Sequence, residues 1–104
     1  AYFSNNELFA KKIENLNKEK LRCWRLPLYS PYLVKIKSQV ADLSNASLDG
    51  MAGSITAALF LQEFLKSPNI PWFHFDTFAW SQDSKGAALQ GLDIMSDFLR
   101  KNFN

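Results

Sequence analysis

The longest apolar run of the chain, from Met51 to Leu61, constrains its fold more than any other segment. Every residue in this run is apolar or small, and polar residues return only at Gln62 and Glu63. A helix with this sequence has no continuous polar face, so most of it must be buried against other elements. We therefore expect a buried helix from about Gly53 to Leu65. None of its side chains can perform acid–base or metal chemistry.

The composition indicates one modest globular domain. Hydrophobic residues make up 47% and charged residues 21% of the 104 positions, which excludes a disordered chain. The aromatic share of 14% is a large apolar load, so we expect either an aromatic-rich core or a surface covered by another chain or domain. The net charge is only +2, and the basic residues of the first helix alternate with Glu14 and Glu19. We therefore expect no nucleic-acid partner.

The cysteine count and the hydropathy pattern bear on the compartment. Cys23 is the only cysteine, which excludes an internal disulfide and fits a reducing compartment. Beside Trp24, it is typical of a small hydrophobic packing residue. The apolar run is too short to span a bilayer, and the sequence shows no signal peptide. We expect no membrane partner and a cytoplasmic location.

Four helices are predicted. The first runs from about Asn5 to Asn17, with Ser4 as its N-cap and Glu7 completing a capping box. A short helix follows from Pro31 to about Ile36, with Ser30 as N-cap. The apolar helix is the third. The last runs from about Gly86 to Lys101, and four of its residues are predicted to face inward, namely Leu92, Met95, Phe98 and Leu99.

Two short strands are predicted between these helices. Val40–Leu43 is a candidate strand, and the bulky Trp72–Asp76 segment is typical of a buried strand. If both lie in one sheet, the apolar helix is a right-handed crossover and the strands run parallel. The expected fold class is α/β, with about four helices and two short strands.

Few residues in the sequence could carry chemistry. His74 and Asp76 lie on the same face of a strand, but a histidine flanked by aromatic residues is more typical of a hydrogen-bonded core position than of a metal ligand or base. The start of the apolar helix at Gly50–Ser54 lacks the lysine and the preceding strand of a phosphate-binding loop. The residues alone therefore predict no catalytic group and no metal ligand.

Several segments, in this order, carry a resemblance to a known family. They are Phe3-Ser4-Asn5-Asn6, Trp24-Arg25-Leu26-Pro27-Leu28, Lys37-Ser38, Ala41-Asp42-Leu43 with Asn45, Ala52-Gly53-Ser54-Ile55-Thr56-Ala57-Ala58, Phe60-Leu61, Glu63-Phe64, Trp72, His74, Asp76 and Ala79-Trp80. Together they resemble the carboxyl-terminal part of the leucyl aminopeptidase (cytosol aminopeptidase) family of metallopeptidases. No single segment is decisive, but the ordered set is specific and covers nearly the whole chain.

The resemblance implies a fold and an activity. The fold would be a fragment of a mixed-sheet α/β sandwich, with residues 1–104 forming the carboxyl-terminal segment of the catalytic domain. The parent enzyme would remove amino-terminal residues from peptides with two divalent metal ions, zinc or manganese, and would assemble into a hexamer. The family signature Asn-Thr-Asp-Ala-Glu-Gly-Arg and the other metal-binding segments are absent from this sequence. The resemblance thus implies no catalytic residue, no metal ligand and no activity in this chain alone.

The resemblance also points to one part of a substrate site. In the family, the end of the strand corresponding to Trp72–Asp76 and the following loop help to receive the first side chain of the substrate. The positions that correspond are Thr77, Phe78, Ala79 and Trp80. The sequence is two residues shorter here than the family pattern His-Leu-Asp-Ile-Ala-Gly-Thr-Ala-Trp. Plain packing is the competing interpretation for Phe78 and Trp80.

Two other functions are possible from the sequence. One is a non-catalytic interaction or oligomerisation module that keeps the fold of the family. The other is a nucleic-acid-binding helical protein that uses the basic first helix.

Overall fold

Two aromatic strands join the beginning of the chain to its later part. In the computed structural model, which describes residues 1–20, 22–47, 49–78 and 91–103, strand β1 (Tyr2–Ser4) pairs antiparallel with strand β2 (Phe73–Phe75). Tyr2 lies opposite Phe75, and Ser4 lies opposite Phe73. Since side chains alternate along a strand, Tyr2, Phe73 and Phe75 share one face of the sheet.

The predicted partner of the second strand was wrong. Trp72–Asp76 does contain a strand, but it pairs with β1 in antiparallel orientation, not with Val40–Leu43 in parallel. The 40–43 segment forms only an isolated bridge between Lys37 and Leu43, and Val40 is 98% exposed. An exposed valine gains nothing from sheet pairing, whereas the aromatic side chains of β1 extend the apolar face of β2.

Four helices accompany the strands in the described part of the chain, as the α/β prediction required. They are α1 (Glu7–Lys20), a 3-10 helix (Ser30–Ile36), α2 (Gly53–Gln62) and α3 (Leu92–Phe103). All three α-helices fall short of the length and apolarity that a membrane span requires.

The helix caps differ from those predicted. Asn6, not Ser4, caps α1, because its side-chain oxygen accepts the backbone N–H of Phe9 at 2.9 Å. The Ser4 hydroxyl instead accepts the N–H of Asn6 at 3.1 Å. Ser30 lies inside the 3-10 helix, which begins without a side-chain cap after Tyr29, while Pro31 occupies the first turn as predicted.

We call β1, β2, α1 and α3 the aromatic region. Its core consists of Tyr2, Ile13, Ile94 and Phe98, each at most 1% exposed. The ring of Phe98 makes edge-on contacts with Phe9 and Phe73, at centroid distances of 5.4 and 5.2 Å. Burying one such side chain stabilises the fold by about 1.5–3 kcal/mol.

The inward face of α3 was only partly predicted. Phe98 is buried and Met95 is partly buried, but Leu92 and Leu99 are 62% and 47% exposed, and Ile94 takes the inward position. The predicted start of this helix at Gly86 lies outside the described residues. Within them, α3 begins after Gly91, which has φ of +87°.

We call the 3-10 helix and α2 the helical region. The two helices pack together, and Ile36, Ala58 and Leu59 are buried there. Helix α2 starts at Gly53 as predicted, after Ala52 in the left-handed conformation with φ of 56°. It ends at Gln62 rather than Leu65.

The expectation that most of the apolar segment is buried was wrong within the described residues. Met51 and Phe64 are each 67% exposed, and Leu61 is 42% exposed. The apolar segment around α2 therefore has more apolar surface than its described neighbours bury.

Candidate functional site

The candidate substrate wall begins where β2 ends. Thr77 and Phe78 follow Asp76 directly and both are exposed, Phe78 by 70%. Ala79 and Trp80 lie outside the described residues. The assignment of these four positions to a substrate wall therefore stays a prediction.

The Asn5 side chain fixes where β2 begins. Its amide nitrogen donates to the Ile70 carbonyl at 2.9 Å and to the Pro68 carbonyl at 3.4 Å. Its oxygen accepts the backbone N–H of Trp72 at 2.8 Å. One side chain from the turn before α1 thus holds the segment that leads into β2.

Two further contacts fix the strand from start to end. The Ser4 hydroxyl donates to the Trp72 carbonyl at 2.9 Å. At the far end, Asp76 donates its N–H to the Ala1 carbonyl at 3.0 Å, and the Ala1 nitrogen donates back to the Asp76 carbonyl at 3.1 Å. The point from which Thr77 leaves the sheet is therefore defined by main-chain pairing with the first residues.

His74 lies in an aromatic stack on the face of the sheet opposite Tyr2. Its ring stacks on Phe3 at 6.1 Å and on Trp72 at 6.0 Å between centroids. Burial lowers the pKa of His74, and the amino terminus lowers it further, while the charge of Asp76 opposes this shift. The imidazole therefore favours its neutral form and packs between aromatic rings, but at a partly buried position and not at the core position that the sequence predicted.

Four acidic side chains in the described residues lie in ion pairs, and these pairs are at separate places. Arg25 holds Glu7 through two hydrogen bonds, at 3.0 and 2.5 Å, and lowers the pKa of that carboxyl. Lys35 bonds to Asp49 and lowers its pKa in the same way. Two weaker pairs are Arg22–Asp93 at 3.5 Å and Arg100–Asp97 at 3.6 Å.

The described residues do not fit a metal centre. Across 1–20, 22–47, 49–78 and 91–103, no three histidine, cysteine or acidic side chains converge in a way that could hold a metal ion. A dinuclear site needs several such ligands at one place. No step of a reaction can be derived from metal ions held by these side chains.

One surface cleft contains Cys23. It has a volume of about 360 Å³, and its lining residues are Tyr2, Glu14, Asn17, Lys18, Cys23, Trp24 and Arg25. Burial raises the pKa of the Cys23 thiol, which keeps it protonated and weakly nucleophilic. Cys23 also packs against the aromatic core, as its predicted role as a hydrophobic residue requires.

Sequence reasoning missed two positioning side chains. Besides Asn5, Asn17 organises the segment after α1: its oxygen accepts the N–H groups of Arg22 and Cys23 at 2.8 and 3.0 Å, and its nitrogen donates to the Cys23 carbonyl at 2.7 Å. Asparagine near a helix end is a local signal for such bonding. No local signal could identify the partners of Asn5, which lie 63 and more positions away.

Comparison with known proteins identifies the family. The model of the cytosol aminopeptidase family, catalytic domain, matches residues 1–95. A probable cytosol aminopeptidase from Cenarchaeum symbiosum is 42% identical over an alignment of 108 positions. The alignment covers 93% of this chain and 22% of that protein. One from Syntrophotalea carbinolica is 40% identical over 90 residues, covering 86% of this chain and 18% of that protein.

Solved structures agree with the sequence matches. The crystal structure of cytosol aminopeptidase from Coxiella burnetii matches with a TM-score of 0.86 at 39% identity, over 99% of this chain and 24% of that chain. A mutant of tomato leucine aminopeptidase matches with a TM-score of 0.83 at 30% identity, over 97% of this chain and 20% of that chain. This chain thus spans about a fifth to a quarter of the proteins it matches. Its sequence and its fold both place it in the cytosol aminopeptidase family.

Proposed function

We propose that this chain is the carboxyl-terminal portion of a leucyl-aminopeptidase-like enzyme. That enzyme would hydrolyse amino-terminal residues from peptides with two divalent metal ions, zinc or manganese. The match of the catalytic-domain model to residues 1–95 carries the proposal. The short span relative to the matched proteins supports the assignment of residues 1–104 to one segment of that domain.

The role of this segment would be structural support. The described residues supply no metal centre, and four of their acidic side chains are engaged in ion pairs. The chain alone would therefore bind no catalytic metal and would be inactive. The parent enzyme would act in the cytoplasm as a hexamer, with neither nucleic acid nor membrane as partner.

The contribution of the segment to substrate binding would be the wall after β2. The Asn5 hydrogen bonds and the Ala1–Asp76 pairing fix where this wall starts. The exposed Thr77 and Phe78 would extend from that anchor toward the first side chain of a bound peptide, together with Ala79 and Trp80.

Activity and metal binding test the proposal together. The 104-residue chain is assayed with an amino-acid amide in the presence of manganese or zinc, beside the Coxiella burnetii enzyme as positive control. We expect turnover only in the control. Calorimetric titration with the same ions should show no tight site in this chain. Turnover comparable to the control, or tight binding of two ions per chain, would contradict the assignment.

The alternative is a non-catalytic interaction or oligomerisation module that keeps the fold. It is favoured by the exposed apolar side chains of the helical region. The coding sequence upstream of Ala1 distinguishes the two functions. The Asp-Ala-Glu-Gly-Arg signature found there supports the enzyme, and a nearby start codon supports the module.

A further inference from the structure

Asp49-Gly50 is the one place in the sequence where an aspartate or asparagine precedes a glycine. The side-chain carboxyl group of an aspartate can react with the main-chain nitrogen of the next residue. A side chain on that next residue hinders the attack. Glycine has no such side chain, and it also leaves the backbone free to rearrange. This pair is therefore the position in the chain that is best suited to the reaction.

The surroundings of Gly50 leave its main-chain nitrogen accessible. Asp49 and Gly50 are both exposed, and the side chain of Asp49 is 49% exposed. The Gly50 N–H donates to the Ser47 carbonyl at a long distance of 3.4 Å. A Cβ placed on Gly50 would meet no atom within 4 Å. The loop before α2 thus has room for the carboxyl group to turn toward this nitrogen.

Two contacts of the Asp49 carboxylate oppose this reaction. The Lys35 ammonium group donates to one carboxylate oxygen, Oδ2. Met51 donates its N–H to the other oxygen, Oδ1, at 3.0 Å. The Lys35 contact and then the Met51 contact lower the pKa of the carboxyl group. Because the carboxylic acid, and not the carboxylate, can release its oxygen as water, the fold holds Asp49 in its less reactive form.

We propose that Asp49 and Gly50 form a succinimide that opens to isoaspartate, and that the Lys35 ammonium group slows this conversion in the folded chain. The accessible Gly50 nitrogen provides the nucleophile, and the paired Asp49 carboxylate provides the control. The inference does not depend on the proposed function, because every reacting group except water belongs to this chain.

The conversion needs no reagent other than water. The Gly50 nitrogen bonds to the Asp49 Cγ and loses its proton, while the Cγ–OH bond breaks and water leaves. A second water then adds to one of the two ring carbonyls. Addition at Cγ restores aspartate, whereas addition at the main-chain carbonyl carbon of Asp49 breaks the original peptide bond and leaves the chain running through Cβ and Cγ. One water leaves and one enters, so nothing is oxidised or reduced and the mass does not change.

Isoaspartate at this position would change the entry to α2. The new linkage adds one carbon to the main chain and moves the free carboxylate from the side chain to Cα. Helix α2 begins shortly afterwards at Gly53, and it follows Ala52 in the left-handed conformation. The pairing of Lys35 with Asp49, which joins the 3-10 helix to this loop, would lose its present geometry. The modification would therefore act on the helical region.

Ageing of the 104-residue chain tests the proposed site. The chain is incubated at about pH 5, where a small fraction of an aspartate is protonated, under conditions in which circular dichroism shows it folded. Isoaspartyl groups are counted by enzymatic methylation with a labelled methyl donor and located by peptide mapping. They should accumulate at position 49. The control Asp49→Glu keeps a carboxylate but would have to form a six-membered ring, so it should give almost none there.

Two lysine variants isolate the effect of Lys35. Lys35→Met removes the charge beside Asp49, and conversion should become roughly two- to fivefold faster. Lys66→Met removes a charge from another exposed position and should leave the rate unchanged. In urea all three proteins should convert at the same rate, because the Lys35 contact belongs to the folded state. Salt at about 1 M should accelerate conversion in the folded, unaltered chain, since it screens an exposed ion pair.

The outcomes decide the site and the role of Lys35 separately. A folded chain that forms no isoaspartate at position 49 overturns the proposed site, even if the unfolded chain forms it. Equal rates for Lys35→Met and Lys66→Met overturn the role of Lys35, and so does an acceleration in Lys35→Met that persists in urea. If Lys35→Met does not fold, the salt measurement decides, and a rate that salt leaves unchanged overturns that role.

Discussion

The aromatic region and the helical region differ in how far each covers its own large apolar side chains. Of the six largest fully buried side chains among the described residues, Tyr2, Phe3, Phe98, Ile13 and Ile94 belong to the aromatic region, and only Ile36 belongs to the helical region. Yet α2 is the most apolar of the described α-helices. An apolar sequence indicates that a helix must be buried, but the residues that bury it need not belong to the same stretch of chain.

The amphipathic helices explain the contrast. Helices α1 and α3 pack against each other and against β1 and β2. Each of these two helices therefore needs to bury only one face, and its neighbours cover that face. Helix α2 packs mainly on the short 3-10 helix, which cannot enclose it. The aromatic region should therefore carry most of the stability of this chain.

The largest expected effect comes from truncating the centre of the aromatic region. Phe98→Ala removes a ring that is 1% exposed and in edge contact with Phe9 and Phe73. The free energy of unfolding should fall by about 3–5 kcal/mol. Urea denaturation measures the change. The control Phe64→Ala removes a ring that lies just after α2 and is 67% exposed, and its effect should stay within about 0.5 kcal/mol. Equal losses would mean that the buried ring of the aromatic region contributes no more than the exposed ring after α2.

The next effect tests the side chain that holds the start of β2. Asn5→Ala removes the side-chain bonds to Ile70 and Trp72. Leaving such partners unpaired should cost about 1–3 kcal/mol. The exchange of the Trp72 amide should accelerate as well. Asn45→Ala, at an exposed asparagine, is the matched control. An unchanged Trp72 exchange rate in the Asn5 variant would show that β2 is held by other contacts.

Two glycines with positive φ lie just outside the two regions, Gly91 before α3 and Gly50 shortly before α2. Gly91 has φ of +87°, and a Cβ there would lie 3.4 Å from the ring of Phe75. Gly50 has φ of +64°, with no atom within 4 Å of such a Cβ. Both alanine variants should lose about 1 kcal/mol from backbone strain. Gly91→Ala should lose more, because the aromatic region must also accommodate a methyl group. Denaturation midpoints that fall equally would remove this distinction.

The smallest effect is a pH dependence at the aromatic stack. Burial lowers the pKa of His74 in the folded state, so the unfolded state takes up the proton first as pH falls. The stabilising contribution is fully present above the unfolded value of about 6.5. It is lost as pH falls from there through the folded pKa. Urea denaturation from pH 7.5 downward measures it, and His74→Phe, which keeps a ring beside Phe3 and Trp72, should flatten the curve in that window. A parallel decline in both proteins would assign the pH dependence to other groups.

Local patterns predicted much of this structure. The Pro31 turn, the Gly53 helix start and the Trp72–Asp76 strand all follow from neighbouring residues, and the structure contains each of them. The fold class followed from the same patterns. The family followed from an ordered set of short segments, and the match over residues 1–95 agrees with it.

Pairing over long sequence distances could not be predicted in the same way. Tyr2–Ser4 has only three strand residues, and its role depends on Phe73–Phe75 arriving beside it. Ser4 and Glu7 have capping-box spacing, but the Ser4 hydroxyl bonds to Trp72 instead. For the candidate wall, the sequence supplied the positions Thr77 and Phe78 but not the Asn5 contacts that fix where the wall begins.

The Asn5 contacts also have a consequence for the order of folding. Asn5 and Trp72 are 67 positions apart along the chain. Bringing such distant groups together costs ~4 kcal/mol of loop-closure entropy, and no single hydrogen bond repays it. Helices α1 and α2 close no such loop and can form early, so the two-stranded sheet should be a late event. Until β1 docks beside β2, the segment that leads to the candidate wall has no fixed position. A change near Ala1 would therefore affect a candidate site more than seventy residues away.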